Sequence, residues 1–228
     1  MAIHLLSQAK TGLSALAWKR QIGVSYPTAW LMHHKVKKVM AAREQAHRLC
    51  GAVEVDDAYL GGERAGGKPG RGSENKVPIV AAVSLNDKGR PLNVKVTQIS
   101  GRTNDAISKW ARSNLAPGTA VLSDGLACFG AVTDAGCTHC VEVIGNREPR
   151  DLPQFKWVKT VLGNLKTKLS GAYKSFGYSK YTDHYLGAFA HRFNRRFHLA
   201  DLVARLVVDV CRTKATPLRV IQQAEVYF

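Results

Sequence analysis

Three carboxylates crowd one short stretch, Val53-Glu54-Val55-Asp56-Asp57-Ala58-Tyr59-Leu60-Gly61-Gly62. Val53, Val55 and the small Ala52 and Ala58 alternate with polar residues, the period-two pattern of a β-strand with one buried face. Gly61-Gly62 ends that strand in a turn. Acids are rarely buried without a partner. Glu54, Asp56 and Asp57 therefore either face water at a strand end or hold a hard cation at the lip of a sheet, as in phosphoryl-transfer sites. A fourth acid, Asp124, follows the apolar run Ala120-Val121-Leu122 in Ser123-Asp124-Gly125. An Asp at the carboxyl end of a strand that emerges after a crossover helix is the layout of an α/β active site.

The elements that must position these acids follow from pattern and punctuation. Strands are expected at 53–60, 77–85 and 91–98, the last two joined by the turn Asn86-Asp87-Lys88-Gly89-Arg90, a hairpin signal. Thr103 or Asn104 caps a helix to about Asn114, stopped by Ala116-Pro117-Gly118, and 120–123 and 139–144 read as further strands. From about residue 155 the chain reads as helical. Residues 63–76, rich in Gly, Arg and Lys and including Lys68 and Arg71, cannot bury a core. They form either a solvated loop or an arm that contacts phosphates.

Upstream, residues 11–21 read as a short helix opened by Thr11 or Ser14. Gly23 gives a turn, Ser25 is a good N-cap, and Pro27 lies in the first turn of a second helix running through His33, Lys37 and Met40 to about His47. Two helices around a glycine turn, the second basic, match either a helix-turn-helix or an ordinary helical hairpin. In the first case Tyr26, Thr28, His33, His34 and Lys37 would face DNA.

The 228 residues suffice for one large domain or two smaller ones. Lys+Arg 33 against Asp+Glu 17 gives a net charge of +16, which points to a polyanionic partner. Nucleic acid comes first and an anionic membrane surface second. No apolar run approaches the ~18–20 residues that span a bilayer, and the start lacks a signal-peptide layout, so a cytoplasmic protein is expected. The five cysteines are odd in number and scattered, a poor disulfide framework. Cys137-Thr-His-Cys140 lacks the second ligand pair of a zinc site.

Strand–strand–strand–helix–strand with acids at neighbouring strand ends resembles the RNase-H-like core of DDE transposases and retroviral integrases. The closer resemblance is to bacterial insertion-sequence transposases of the ISXO-two-like group. It is carried by Val-Glu-Val-Asp-Asp-Ala-Tyr-Leu-Gly-Gly, Leu-Ser-Asp-Gly, Trp-Val-Lys-Thr-Val-Leu-Gly-Asn-Leu-Lys with Ser-Gly-Ala-Tyr, and Arg-Phe-Asn-Arg-Arg-Phe.

The resemblance implies an α/β fold: an RNase-H-like mixed sheet flanked by helices, with a helix-turn-helix-like N-terminus. It implies a DNA-binding segment at 1–50, a catalytic core at 51–213 and a tail at 214–228. Asp56 and Asp124 match the first two catalytic acids and would hold two Mg²⁺ or Mn²⁺ ions, with Asp57 as the acidic neighbour. The implied function is DNA cleavage and joining at transposon ends, in a homo-oligomeric synaptic complex within a bacterial, nucleoid-associated setting. A non-catalytic DNA-binding protein that keeps the fold, or an RNase-H-like nuclease, is the alternative.

The family's third catalytic position, usually Glu or Asn, falls on Lys159, with 34 residues between it and Asp124 (159 − 124 − 1). A protonated lysine cannot ligate a metal. Either Asp56 and Asp124 suffice for a slow or altered two-metal site, or this charge repels the second ion and empties its position; weakened or lost catalysis is expected. On the helix expected at 156–174, Val158, Val161, Leu162, Leu165 and Leu169 form one buried stripe, with Lys159 and Lys166 on its flank. Asn164 has a usable oxygen but points roughly 140° away from Lys159 on the helical wheel. Lys166 matches the family's basic residue and would meet a DNA phosphate. Further on, Tyr181, Tyr185, Phe189, Phe193 and Phe197 recur at four-residue steps, a core-facing ridge, and Arg192, Arg195 and Arg196 form a basic end expected to touch DNA. Relatives commonly carry a cysteine-rich zinc ribbon ahead of the helix-turn-helix. None precedes residue 11 here, so either the start is truncated or end recognition rests on residues 11–47.

Overall fold

The computed structural model describes residues 1–9, 12–61, 76–142, 153–173 and 176–223. The basic segment with Lys68 and Arg71 lies outside them. The chain forms two compact units that are not consecutive in sequence, one from the described residues of Met1–Glu44 and Leu165–Tyr227, the other from those of Gln45–Asn164.

The second unit is built on a five-stranded sheet. Strands β1 (Ala52–Leu60), β2 (Val77–Leu85) and β3 (Pro91–Gln98) form an antiparallel meander, and β4 (Ala120–Ser123) and β5 (Thr138–Val141) run parallel to β1. The order is β3-β2-β1-β4-β5, which is the RNase-H-like arrangement. The β2–β3 turn forms where Asn86 and Gly89 predict it. The Asn86 side chain accepts from the amides of Lys88 and Arg90, at 3.0 and 2.9 Å, and Gly89 takes φ +67°, a conformation glycine adopts freely.

Because β1 alternates, Val53 and Val55 share one face, and both are buried in a core with Ile107, Trp110 and Ala111. Those last three belong to helix α4 (Asn104–Asn114), whose N-cap Thr103 accepts from the Ala106 amide at 3.2 Å. A 3₁₀ helix at Ala127–Ala135 adds Phe129 and Val132 to the same core. The start of helix α5 (Lys156–Lys168) is bonded to Glu54, which points from the opposite face of β1. The stripe Val158, Val161, Leu162, Leu165 and Leu169 is buried as its spacing requires.

The first unit is helical. Ahead of α5 it contains α1 (Ala2–Gln8), α2 (Ala15–Ile22) and α3 (Tyr26–Gln45). After α5 and a π-helical turn at Leu169–Tyr173 come α6 (Tyr178–Asn194), α7 (Leu199–Arg212) and α8 (Leu218–Gln223). Ser14 caps α2, accepting from Ala17 at 3.1 Å, and Gly23 closes that helix in the left-handed region. The Ser25 hydroxyl accepts from the Thr28 amide at the start of α3. Two helices, α2 and α3, thus flank the Gly23 turn, as the punctuation predicts.

Its core joins Leu6, Trp18, Val36, Val39, Met40, Ala188 and Leu206. These come from helices at both ends of the chain, which is why the compact units do not follow the consecutive segments read from sequence.

Candidate active site

β1 and β4 lie side by side, with Ala52, Val53 and Glu54 opposite Ala120, Val121 and Leu122. Continued by two residues, that register brings Asp124 level with Asp56. One carboxylate oxygen each from Asp56, Asp57 and Asp124 lie within 4.8 Å of one another; the three residues are half-buried, with the Asp57 side chain only 8% exposed. Two local bonds orient the pair: Asp56 Oδ1 accepts from the Asp57 amide at 2.8 Å, and Asp124 Oδ1 from the Leu126 amide at 3.3 Å. Asp57 points to the α4 side of the sheet, where it forms an ion pair with Arg102. The Arg102 guanidinium in turn lies 4.7 Å from the centre of the Tyr59 ring. This pair offsets one of three mutually repelling negative charges.

Behind Asp124, the Ser123 hydroxyl shares a 2.8 Å hydrogen bond with His139 Nε2, and burial lowers the His139 pKa. Glu54 is 2% exposed, and burial raises its pKa to about 7 against the pull of two helix amides. That carboxylate was expected either to face water or to hold a cation, and its burial excludes the first. Nothing local in the sequence discloses its partner, which lies 103 residues away.

Lys159 is half-buried, its ammonium 5.7 Å from the centre of the Phe155 ring, and it makes no ion pair among the described residues. Lys166 and Asn164 are exposed.

The residues singled out for DNA separate into two groups. Tyr26 is 47% exposed and Thr28 is exposed at the start of α3. Arg192 and Arg196 are half-buried, and Arg196 lies over the rings of Phe193 and Phe197. Arg195 pairs with Glu44.

His33, His34 and Lys37, by contrast, are each 1% exposed and so do not face a ligand. His33 Nε2 bonds Leu13 O at 2.8 Å, and His34 Nδ1 shares a 3.2 Å bond with His184 Nδ1. Lys37 Nζ sits 3.2 and 3.9 Å from the ring centres of Tyr185 and Tyr173. They form the polar lining of a buried aromatic cluster, and polarity alone suggested the outward face. Of the expected aromatic ridge, Tyr185 and Phe189 are buried. Phe197 lies beyond the end of α6 and is 78% exposed.

Three hard oxygen donors at this separation suit a divalent cation such as Mg²⁺ or Mn²⁺. Among the described residues no other cluster of three or more His, Cys, Asp or Glu side chains has that geometry. No described helix is long and apolar enough to cross a membrane.

No curated protein matches the chain. Solved structures resemble it distantly. The "Crystal structure of the Mos1 Strand Transfer Complex" is 12% identical, covering 94% of this chain and 78% of that one, with a TM-score of 0.35. The "Crystal structure of a pre-cleavage Mos1 transpososome" is 10% identical, covering 94% and 79%, with a TM-score of 0.30. The model of the ISXO2-like transposase domain, however, matches residues 48–194, more than half the chain and all of β1 to α6, and the chain belongs to that family.

Proposed function

We propose that this transposase-family chain cleaves and joins DNA phosphodiesters at transposon ends, with Asp56 and Asp124 holding the divalent cations. What supports this most is the convergence of Asp56, Asp57 and Asp124 within 4.8 Å at the adjoining ends of β1 and β4. When bound, a pair of such ions supplies activation of water or a DNA 3′-hydroxyl and stabilisation of the leaving oxygen. The chain supplies placement. β1 and β4 fix the two carboxylates side by side, and the amides of Asp57 and Leu126 orient one oxygen of each. The Asp57–Arg102 pair anchors the third acid. Lys166, Tyr26, Thr28, Arg192 and Arg196 contact DNA phosphates, in a homo-oligomer that brings two DNA ends together. Lys159 weakens the reaction by placing a cation at the position of the third ligand.

Nicking of transposon-end DNA with Mn²⁺ tests this reading. Wild type is expected to nick, and Asp56→Ala to lose at least about 10³-fold, as for removal of a group on which catalysis depends. Equal nicking by the variant would overturn it. Strand-transfer products would separate a transposase from a nuclease.

Lys159 itself favours a second reading, a DNA-binding protein that keeps the fold without the chemistry. Its signature would be tight, salt-sensitive DNA binding with no nicking by wild type.

A further inference from the structure

We propose that Glu54 is a positioning residue, holding the first turn of α5, and with it position 159, against the strand that carries Asp56. This rests on the two-aspartate reading above. Glu54 and Asp56 lie two residues apart on one face of β1, a step of roughly 6.6 Å. Glu54 Oε2 accepts from the Trp157 amide at 3.0 Å and from the Val158 amide at 2.8 Å.

A 3₁₀ turn at Pro153–Phe155 leads straight into α5, so no non-helical residue with a capping side chain precedes Lys156. The Trp157 and Val158 amides are the second and third of α5, the positions a capping side chain ordinarily serves, and Glu54 serves them from across the fold. Trp157 adds a second tie, its indole N–H donating to Gly89 O in the β2–β3 turn at 2.7 Å. Val158 is fully buried.

The start of α5 is thus fixed to β1 and to the β2–β3 turn, and Lys159 is the next residue along. Phe155 is itself helical and fully buried, so no side chain there caps α5, and Glu54 does so although burying a carboxylate is unfavourable. A buried acid on the catalytic strand does something a local cap cannot, because it sets the distance between β1 and α5.

Both bonds end on a single oxygen, so a glutamine, which keeps one carbonyl oxygen, preserves the clamp while removing the charge. The full chain is compared as wild type, Glu54→Gln and Glu54→Leu, by amide hydrogen exchange and by Mn²⁺-dependent nicking. In Glu54→Leu, exchange at Trp157 and Val158 should accelerate at least about tenfold relative to β1–β3 amides. In a Lys159→Asn background, where position 159 offers an oxygen to the site, adding Glu54→Leu should lower kcat for nicking about 10–100-fold, the usual cost of losing an outer-shell partner, with KM for DNA unchanged. Glu54→Gln should match its parent in all three.

Two results would overturn the proposal: Glu54→Gln failing as badly as Glu54→Leu, which would mark the charge itself as essential, or Glu54→Leu leaving exchange and kcat unaltered. If Glu54→Leu does not fold, Glu54→Gln decides on the same terms. If Lys159→Asn does not nick, paramagnetic broadening of the position-159 amide signal by Mn²⁺ replaces kcat, reduced in Glu54→Leu and kept in Glu54→Gln. Failure of the two-aspartate reading looks different. Asp56→Ala would then nick like wild type, while exchange at Trp157 and Val158 would still report on Glu54.

Discussion

On the function proposed above, Lys159 occupies the third ligand position, and its ammonium lies 5.7 Å from the centre of the Phe155 ring rather than on a carboxylate. Exchanging it for asparagine removes a charge that competes with the second cation and restores an oxygen. We expect Lys159→Asn to raise the rate of Mn²⁺-dependent nicking about tenfold or more, equivalent to about 1.4 kcal/mol of transition-state stabilisation. An unchanged or slower rate would show that this lysine does not limit the site. At this scale the sequence disclosed the acids well. Asp56 and Asp124 stand out because an acid on an apolar strand conflicts with burial. It did not disclose Glu54's role, since the Trp157 and Val158 amides that receive it are backbone groups with no residue signature. His33, His34 and Lys37 misled for a related reason: a polar side chain reads as exposed until the rings that surround it are known.

Elements with local punctuation were legible. The β2–β3 hairpin, the caps Ser14, Ser25 and Thr103, and the buried stripe of α5 follow from turn chemistry and periodicity. Helix α3 was readable in extent but not in facing, because it buries His33, His34, Lys37 and Glu44 alongside Val36, Val39 and Met40. The 3₁₀ helix at Ala127–Ala135 and helix α1 have no strong period and were not foreseen. The packing of α3 on α6 is also invisible in sequence, although it depends on one glycine. A Cβ at Gly187 would come within 2.3 Å of Ala41 Cβ and 2.4 Å of Ala41 Cα. Backbone at that distance cannot yield without moving a helix. Gly187→Ala should therefore cost about 1–3 kcal/mol, the usual penalty of overpacking, read from urea unfolding. A stability equal to wild type would mean that the two helices are not held this closely.

Across the whole molecule, the +16 charge suits a DNA partner, and part of the basic complement lies inside the helical unit. Burial, together with nearby cations, pushes His34 to about 3 and His184 to about 4, lowers Lys168 to about 7, and takes Lys37 well below its ordinary value. The histidines are neutral when folded, whereas the unfolded chain takes up their protons near pH 6.5. Stability is therefore expected to fall as pH drops below about 6.5 and to keep falling toward the folded values. His34 alone should cost about 2 kcal/mol by pH 5. Unfolding at pH 7.5 and pH 5 checks this, and equal stabilities would contradict it.

If Asp56 and Asp124 share a divalent cation, calorimetric titration with Mn²⁺ of wild type, Asp56→Asn, Asp124→Asn and the double variant will reveal it. Each single change should weaken binding at least about tenfold, or 1.4 kcal/mol, and the double change should add little, because the two residues serve one site. Singles that bind Mn²⁺ as tightly as wild type, or losses that simply add, would contradict it.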